Sequence, residues 1–230
     1  RSSDLYRILL QLLKPPTGSQ NSRSNYRKEV LLLSGLQTSQ VVGLQAAQIS
    51  QLTVSQLVSM STAQIAALRT DQVAAIETAD LAALDSRQIS ALATDRVVAL
   101  TTDQAGALTS AQLRGMTTQQ LQALQTQDLA MLSSAQLAGL TTGQVVALQT
   151  RQILALSTDQ IQGLSSIQVQ AFSEAQIKAI EVGDLQAMTS AQIRGLTTAQ
   201  VAALTTAQVQ SLQTHQIAAL TSTGVASLQD

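Results

Sequence analysis

An eight-residue repeat runs from Leu36 to the C-terminus of this 230-residue chain. Residues 196–211 show two copies, Leu-Thr-Thr-Ala-Gln-Val-Ala-Ala and Leu-Thr-Thr-Ala-Gln-Val-Gln-Ser. Counted from Leu36, there are twenty-four complete octads with no insertion or deletion. A unit this short cannot own a hydrophobic core, so each octad must be stabilised by stacking on its neighbours. The period therefore predicts a solenoid in residues 36–230, preceded by a distinct leader in residues 1–35.

The eight positions of the octad, numbered from its leucine, differ in the residues they tolerate. Position 1 is Leu, Ile, Met or Phe in every octad, and position 6 is Val, Ile or Leu in all but one. Position 8 is Gly, Ala or Ser in twenty-two of the twenty-four, whereas positions 4 and 7 vary freely. We expect positions 1, 6 and 8 to build the core, with small residues at position 8 allowing close helix approach. Positions 4 and 7 should face solvent.

Each octad carries the sequence signature of a helix start. Position 3 is Thr or Ser in twenty octads and position 5 is Gln in nineteen. In residues 196–203, Thr197 is a candidate N-cap, and Gln200 lies three residues on, as in a capping box. Leu196 and Val201 then occupy the two positions of a hydrophobic staple. The pattern predicts one short helix per octad.

Variations on the pattern give three further expectations. Where position 2 is a poor cap, we expect the hydroxyl at position 3 to act as the cap, as in the octads of Gln125, Gln149 and Gln213. Four glycines lie where the chain could turn out of a helix, namely Gly115, Gly139, Gly163 and Gly195. The glutamine at position 5 is either a plain helix-start residue or a member of a ladder in which its amide satisfies loop carbonyls of other octads.

Two other architectures fit the repeat less well. In one continuous helix, eight residues at about 100° each rotate the apolar stripe by about 80° per octad, so the stripe buries against nothing. In a β-solenoid, positions 1 and 6 have opposite parity, so leucine and valine would point to opposite faces. An all-α superhelix of very short helices is the fold class that we predict.

Residues 1–35 do not follow the octad. Their first part has an apolar stripe with helical spacing, formed by Leu5, Ile8, Leu9, Leu12 and Leu13. Pro15 and Pro16 end this predicted amphipathic helix, and a polar linker follows. The leader holds six bases and two acids (+4), whereas the repeat holds seven bases and twelve acids (−5). Three readings stay open: a helix that caps the array, an arm that docks into another subunit through this stripe, and a cationic helix at a membrane surface.

Composition limits the possible functions. Charged residues make up 12% of the chain and the net charge is −1, so no basic footprint for nucleic acid is present. Cysteine is absent, which removes disulfides and thiolate sites. No run of eighteen apolar residues predicts a membrane span. The chain begins with Arg1, and we expect it to be a processed or excised product.

Catalytic chemistry is not expected. His215 is the only histidine, and it lies at the variable position 4. Asp80, Asp128 and Asp184 replace the glutamine of position 5, where we expect a carboxylate to cap the helix start as glutamine does. A calcium site is the alternative for these acids, but the required loop pattern is missing. We expect no enzyme activity, no cofactor and no metal.

The octad resembles the Leu-Thr-x-x-Gln-Val-x-Ala-Leu arrays of large repetitive bacterial surface and adhesin-like proteins. The resemblance covers residues 36–230 and implies an extracellular, structural role without transferable site residues. A stalk or self-assembling filament subunit, with head-to-tail or arm-into-groove contacts between copies, is therefore our first expectation. A monomeric solenoid that binds a protein, peptide or glycan is the alternative.

Overall fold

The computed structural model describes residues 33–228, and within this range each of the twenty-four octads forms one helix. Every helix begins at position 3 of its octad, and the longest have six residues. No strand occurs in these residues. The all-α solenoid of very short helices is confirmed, whereas the continuous helix and the β-solenoid are not found.

Contacts divide the chain after Leu108 into two units. The helices of unit 1 are α1 (Thr38–Val42), α2 (Ala46–Ile49), α3 (Val54–Val58), α4 (Thr62–Ala67), α5 (Thr70–Ala74), α6 (Thr78–Ala83), α7 (Ser86–Ser90), α8 (Thr94–Val98) and α9 (Thr102–Gly106). The helices of unit 2 are α10 (Ser110–Gly115), α11 (Thr118–Ala123), α12 (Thr126–Ala130), α13 (Ser134–Ala138), α14 (Thr142–Ala147), α15 (Thr150–Leu154), α16 (Thr158–Gly163), α17 (Ser166–Gln170), α18 (Glu174–Ala179), α19 (Val182–Ala187), α20 (Ser190–Arg194), α21 (Thr198–Ala202), α22 (Thr206–Ser211), α23 (Thr214–Ile217) and α24 (Ser222–Ala226).

Within each unit a helix packs against the third helix after it. In unit 1, α1 contacts α4 and α3 contacts α6; in unit 2, α13 contacts α16 and α21 contacts α24. Two octads lie between each pair of packed helices, and this stacking buries side chains that one octad cannot bury alone.

The core consists of positions 1 and 6, as expected, and of position 5. From Val41 to Val201, no position-6 side chain is more than 2% exposed, and position 1 is at most 9% exposed from Leu36 to Leu212. The expected place of position 8 in the core is wrong, because within residues 33–228 only Ala203 and Ala219 are buried there. Most other position-8 residues are half-buried, and five are exposed, namely Gly43, Gln51, Ala83, Gly115 and Met131.

Positions 4 and 7 face solvent as predicted. None of these side chains is buried in the part of the chain that the structure describes, and His215 is exposed. The array also extends slightly upstream of Leu36. Leu33 is fully buried, and its carbonyl accepts a hydrogen bond from Gln64 Nε2 at 2.8 Å, so Leu33 has the place of a position-6 residue.

Candidate functional site

The capping box predicted from the sequence is present in most octads. In residues 196–203, the backbone N–H of Gln200 donates to Thr197 Oγ1 at 3.2 Å, and the N–H of Thr197 donates to Gln200 Oε1 at 2.8 Å. Thr197 has extended backbone angles (φ −73°, ψ 160°), as an N-cap residue does. Two backbone donors that a helix start leaves without partners are thereby satisfied, and the helix begins at position 3 in each octad.

The amide nitrogen of the same glutamine bonds to distant parts of the array. Gln200 Nε2 donates to the carbonyls of Val169 at 3.1 Å and Phe172 at 2.7 Å, which lie 31 and 28 residues earlier. In unit 1, Gln72 Nε2 donates to the carbonyls of Val41 and Leu44, both at 2.8 Å. One side chain thus joins its own helix start to the turn between two earlier octads.

We call this set of side chains the glutamine ladder. The members whose donor and acceptor lie in the same unit are Gln64, Gln72, Gln88, Gln104, Gln144, Gln152, Gln160, Gln168, Gln176, Gln192, Gln200, Gln208 and Gln216. Each donates to a position-1 carbonyl 28 residues earlier, a spacing between three and four octads. Of the two roles left open by the sequence, the ladder is the one observed.

Octads with glutamine at position 2 use the same start, so the prediction that position 3 becomes the cap is wrong. Gln149 remains the N-cap residue, its N–H donates to Gln152 Oε1 at 2.9 Å, and α15 begins at Thr150. Gln125 and Gln213 are N-cap residues in the same way. In these three octads the position-5 side chain holds the backbone N–H of position 2, so the helix start stays in place although the capping side chain has changed.

Arg96 replaces the ladder glutamine in α8 and keeps part of its role. Its Nε donates to the carbonyl of Leu68 at 2.9 Å, again 28 residues earlier. Its guanidinium also forms an ion pair with Asp95, and Arg69 forms one with Asp71 at 2.8 Å. Hydrogen bonds from these arginines lower the pKa of the Asp71 and Asp95 carboxyls.

The three aspartates at position 5 behave differently, and the predicted capping role holds for one of them. Asp128 is fully buried and accepts the N–H of Gln125 at 3.3 Å. Asp184 instead accepts the hydroxyl of Thr158 at 2.6 Å, and no capping box forms in α19. None forms in α6 either, where burial, and then the charge of Glu77, raises the pKa of Asp80. An ionised aspartate cannot donate to the ladder carbonyls.

The glycines lie where the chain leaves a helix, as predicted, and the close approach of an earlier octad favours glycine there. Gly139 and Gly195 have right-handed φ values of −74° and −73°, so their backbone does not favour glycine. A Cβ built on Gly163 would lie 2.5 Å from Ser134 Cβ, and one on Gly195 would lie 3.1 Å from the carbonyl oxygen of Ser166. Position 8 of one octad therefore lies against position 3 of the octad that comes three octads earlier in the chain.

An apolar groove of about 480 Å³ lies on the surface of unit 2 between α15, the α18–α19 junction and α22. Leu154 and Val182 line it and are 53% and 38% exposed, and Ile180 is buried among its lining residues. Arg151 and Lys178 are the two cations in the lining. We call it the Leu154 groove. Leu154 is the only leucine at position 7 in the chain, so the octad pattern does not predict this patch.

The remaining predictions concern the leader stripe, metal sites and membrane-spanning helices. Leu5, Ile8, Leu9, Leu12 and Leu13, the predicted assembly stripe, lie outside residues 33–228. Within the described range, no group of three His, Asp or Glu residues could hold a metal ion. In the same residues, no helix has the length and apolar character needed to cross a membrane.

The chain matches a protein-family model. A model described as ALTTAQ repeat matches residues 73–110, 121–158, 146–179 and 177–214, together more than half of the chain. The chain belongs to the ALTTAQ repeat family. The six letters occur unchanged at residues 203–208, where they cover position 8 of one octad and positions 1 to 5 of the next. A search of curated proteins finds no match.

The ALTTAQ letters correspond to the contacts described above. The alanine is the small residue at the helix contact, the leucine is core, the first threonine is the N-cap and the glutamine belongs to the ladder, as Leu204, Thr205 and Gln208 show. The second threonine begins the helix. The family signature therefore specifies the stacking of a repeat, and the Leu154 groove is a feature of this chain outside that signature.

Proposed function

We propose that this chain is an extracellular structural element of a bacterial surface, a stalk or a self-assembling filament subunit. The observation that carries the proposal is the glutamine ladder, whose members bond to octads 28 to 31 residues earlier in the same way along both units. An array built on one repeated contact is lengthened by adding identical octads. The likeness of the octad to bacterial surface arrays supports the location.

The last described octads present an apolar face that such lengthening would cover. Ile217 and Val225, at position 6, are 51% and 41% exposed, whereas position-6 residues up to Val201 are at most 2% exposed. Within a unit each helix packs against the third helix after it, and within residues 33–228 no helix has that place relative to α23 or α24. Part of a second copy would fit this face.

In the filament form of the proposal, the leader contributes to the contact between copies. Its stripe of Leu5, Ile8, Leu9, Leu12 and Leu13 docks on the array of another copy, where a +4 leader meets a −5 array. Screened charges of this size orient the contact more than they strengthen it. A contact between two different surfaces does not close on itself unless the geometry forms a ring, and so it generates fibres.

A solenoid that binds a protein, peptide or glycan partner is the second candidate function. The observation that favours it is the Leu154 groove, because an exposed leucine and valine beside two cations are not needed for stacking. The two functions are compatible, since the groove lies on the side of unit 2 and assembly would use the leader and the open face.

Negative-stain electron microscopy of the purified chain tests assembly. Micrometre-long fibres are expected, and they should be lost in a variant without residues 1–25 and in Ile217→Asp/Val225→Asp. Val146→Asp is the matched control, because Val146 is 45% exposed at position 7 and should tolerate the charge. Isolated short rods from the unchanged chain would contradict the filament. Protease treatment of intact cells that express the protein tests the surface location.

A further inference from the structure

We propose that the Leu154 groove is the docking site of an acidic polypeptide segment that inserts a large apolar side chain between Leu154 and Val182. This inference rests on the second candidate function and specifies its partner. The groove measures about 480 Å³, which is within the range of sites that hold ligand groups, and apolar atoms dominate its lining.

The apolar lining is pre-formed. The ladder passes directly beneath it, because Gln208 Nε2 donates to the carbonyls of Ile177 at 3.0 Å and Ile180 at 2.8 Å. Ile180 is 3% exposed and fixed in the core, while Leu154 on α15 and Val182 on α19 remain accessible. A partner side chain would therefore bury exposed apolar surface without ordering the site first, which favours binding.

The octad that supplies Val182 gives up local stability. Residues 180–187 have Glu181 where fourteen octads have Thr or Ser, Val182 where twenty have Thr or Ser, and Asp184 where nineteen have Gln. As a result α19 lacks the capping box, and Asp184 makes no ladder bond to earlier carbonyls but accepts the hydroxyl of Thr158. Departures from local rules without a gain in folding are expected at functional sites.

The charges of the groove select the partner. Arg151 and Lys178 are two of the four basic residues in residues 109–230, and Glu181 is the one acid in the lining. A partner that covers the groove removes water from both cations, so it must supply carboxylates to avoid leaving them unpaired. A purely apolar or basic segment does not meet this requirement. An acidic segment with one leucine-sized anchor does.

Selection from phage-displayed random dodecapeptides on the immobilised full chain tests the proposal. The expected enriched peptides carry Leu, Ile, Met or Phe next to Asp or Glu. In fluorescence anisotropy, Leu154→Ala should weaken the binding of a representative peptide about ten-fold or more. Arg151→Gln/Lys178→Gln should weaken it by a similar factor at low salt and by less at 0.5 M salt.

Val146→Ala is the matched control, because it removes a similarly exposed position-7 side chain one octad earlier and should leave the affinity unchanged. Circular dichroism of each variant separates lost binding from lost folding, and Leu154→Met provides a second variant that keeps the apolar surface.

No enrichment, enriched peptides without acids, or equal binding by Leu154→Ala would overturn the proposal. If Leu154→Ala instead abolishes fibres, the groove binds a second copy, and the proposed acidic segment is wrong. Loss of peptide binding with intact fibres supports the inference, whereas absence of fibres with intact peptide binding contradicts only the filament.

Discussion

Gln152 Nε2 lies 2.9 Å from the carbonyl oxygen of Leu121, a residue that comes 31 positions earlier in unit 2. The same nitrogen donates to Leu124 at 2.9 Å, and Oε1 accepts the N–H of Gln149. The side chain is fully buried. One amide therefore satisfies the start of its own helix and the turn between two earlier ones.

Replacing this amide should destabilise the array. Gln152→Ala leaves two buried carbonyls and one part-buried backbone N–H without this partner, and we expect the free energy of unfolding to fall by about 3 kcal/mol. Urea denaturation followed by circular dichroism measures the change. Gln119→Ala, at an exposed position 4, is the matched control and should change stability by less than about 0.5 kcal/mol. Equal midpoints for the two variants would show that the ladder does not stabilise the fold.

Substitution by alanine should have opposite effects at a glycine that contacts an earlier octad and at a glycine with open space around it. In Gly163→Ala the new Cβ would approach Ser134 Cβ to 2.5 Å, so we expect a loss of about 1–3 kcal/mol. In Gly143→Ala nothing lies within 4 Å, and we expect a gain of about 0.5–1 kcal/mol because alanine favours the helix. Thermal unfolding of both variants checks the two signs. If Gly143→Ala also lowered the free energy of unfolding, the contact with Ser134 would not explain the loss in Gly163→Ala.

Asp80 should make the array less stable as the pH rises. Burial and Glu77 raise the pKa of Asp80 in the folded state, so the folded chain binds more protons than the unfolded chain just above the ordinary pKa. Stability from this group is therefore present in acid and lost as pH rises through the folded pKa. Asp80→Gln should raise the free energy of unfolding at pH 7, and the gain should shrink below pH 3.8, the ordinary pKa of an aspartate.

The glutamine in Asp80→Gln also gains access to the carbonyls of Ile49 and Leu52, which have the ladder spacing to position 80. Asp103→Asn, at the exposed position 4, is the control and should change stability by less than about 0.5 kcal/mol at pH 7. Urea titrations at pH 7 and pH 3 give the comparison. A gain that is the same at both pH values would attribute the effect to the ladder alone and refute the titration.

Capping side chains should matter only where they accept a hydrogen bond. Thr205 Oγ1 accepts the N–H of Gln208 at 3.2 Å, so Thr205→Ala should cost about 1 kcal/mol. Gln213 makes no such side-chain bond, and Gln213→Ala should cost little. Hydrogen exchange at the first turns of α22 and α23 reports each start directly. Equal protection losses in the two variants would contradict the capping assignment.

The sequence predicts the local structure well because an octad contains its own start signals. Thr197 and Gln200 are three residues apart, and their reciprocal bonds follow from that spacing alone. The ladder partners could not be assigned in the same way. A period of eight is compatible with several numbers of octads per turn, so nothing in the octad specifies that Gln200 reaches Val169.

The spacing between stacked octads, which the sequence does not specify, also explains why the place of position 8 and the Leu154 groove were not predicted. The contact between Gly163 and Ser134 could not be predicted without that spacing, nor could the half-buried place of position 8 between two helices. Leu154 and Val182 are 28 residues apart, the spacing of the ladder, and become neighbours in one groove only once that spacing is known. The signal available in the sequence was the single leucine at position 7.

Because every ladder bond spans a fixed stretch of 28 to 31 residues, loss or duplication of one whole octad in the gene simply re-pairs each amide with the equivalent carbonyl of another copy. A change of any other length would shift donors away from acceptors over the next several turns. Unequal recombination can therefore adjust the reach of the protein in single-octad steps, and reading-frame-preserving changes between those steps should be purged.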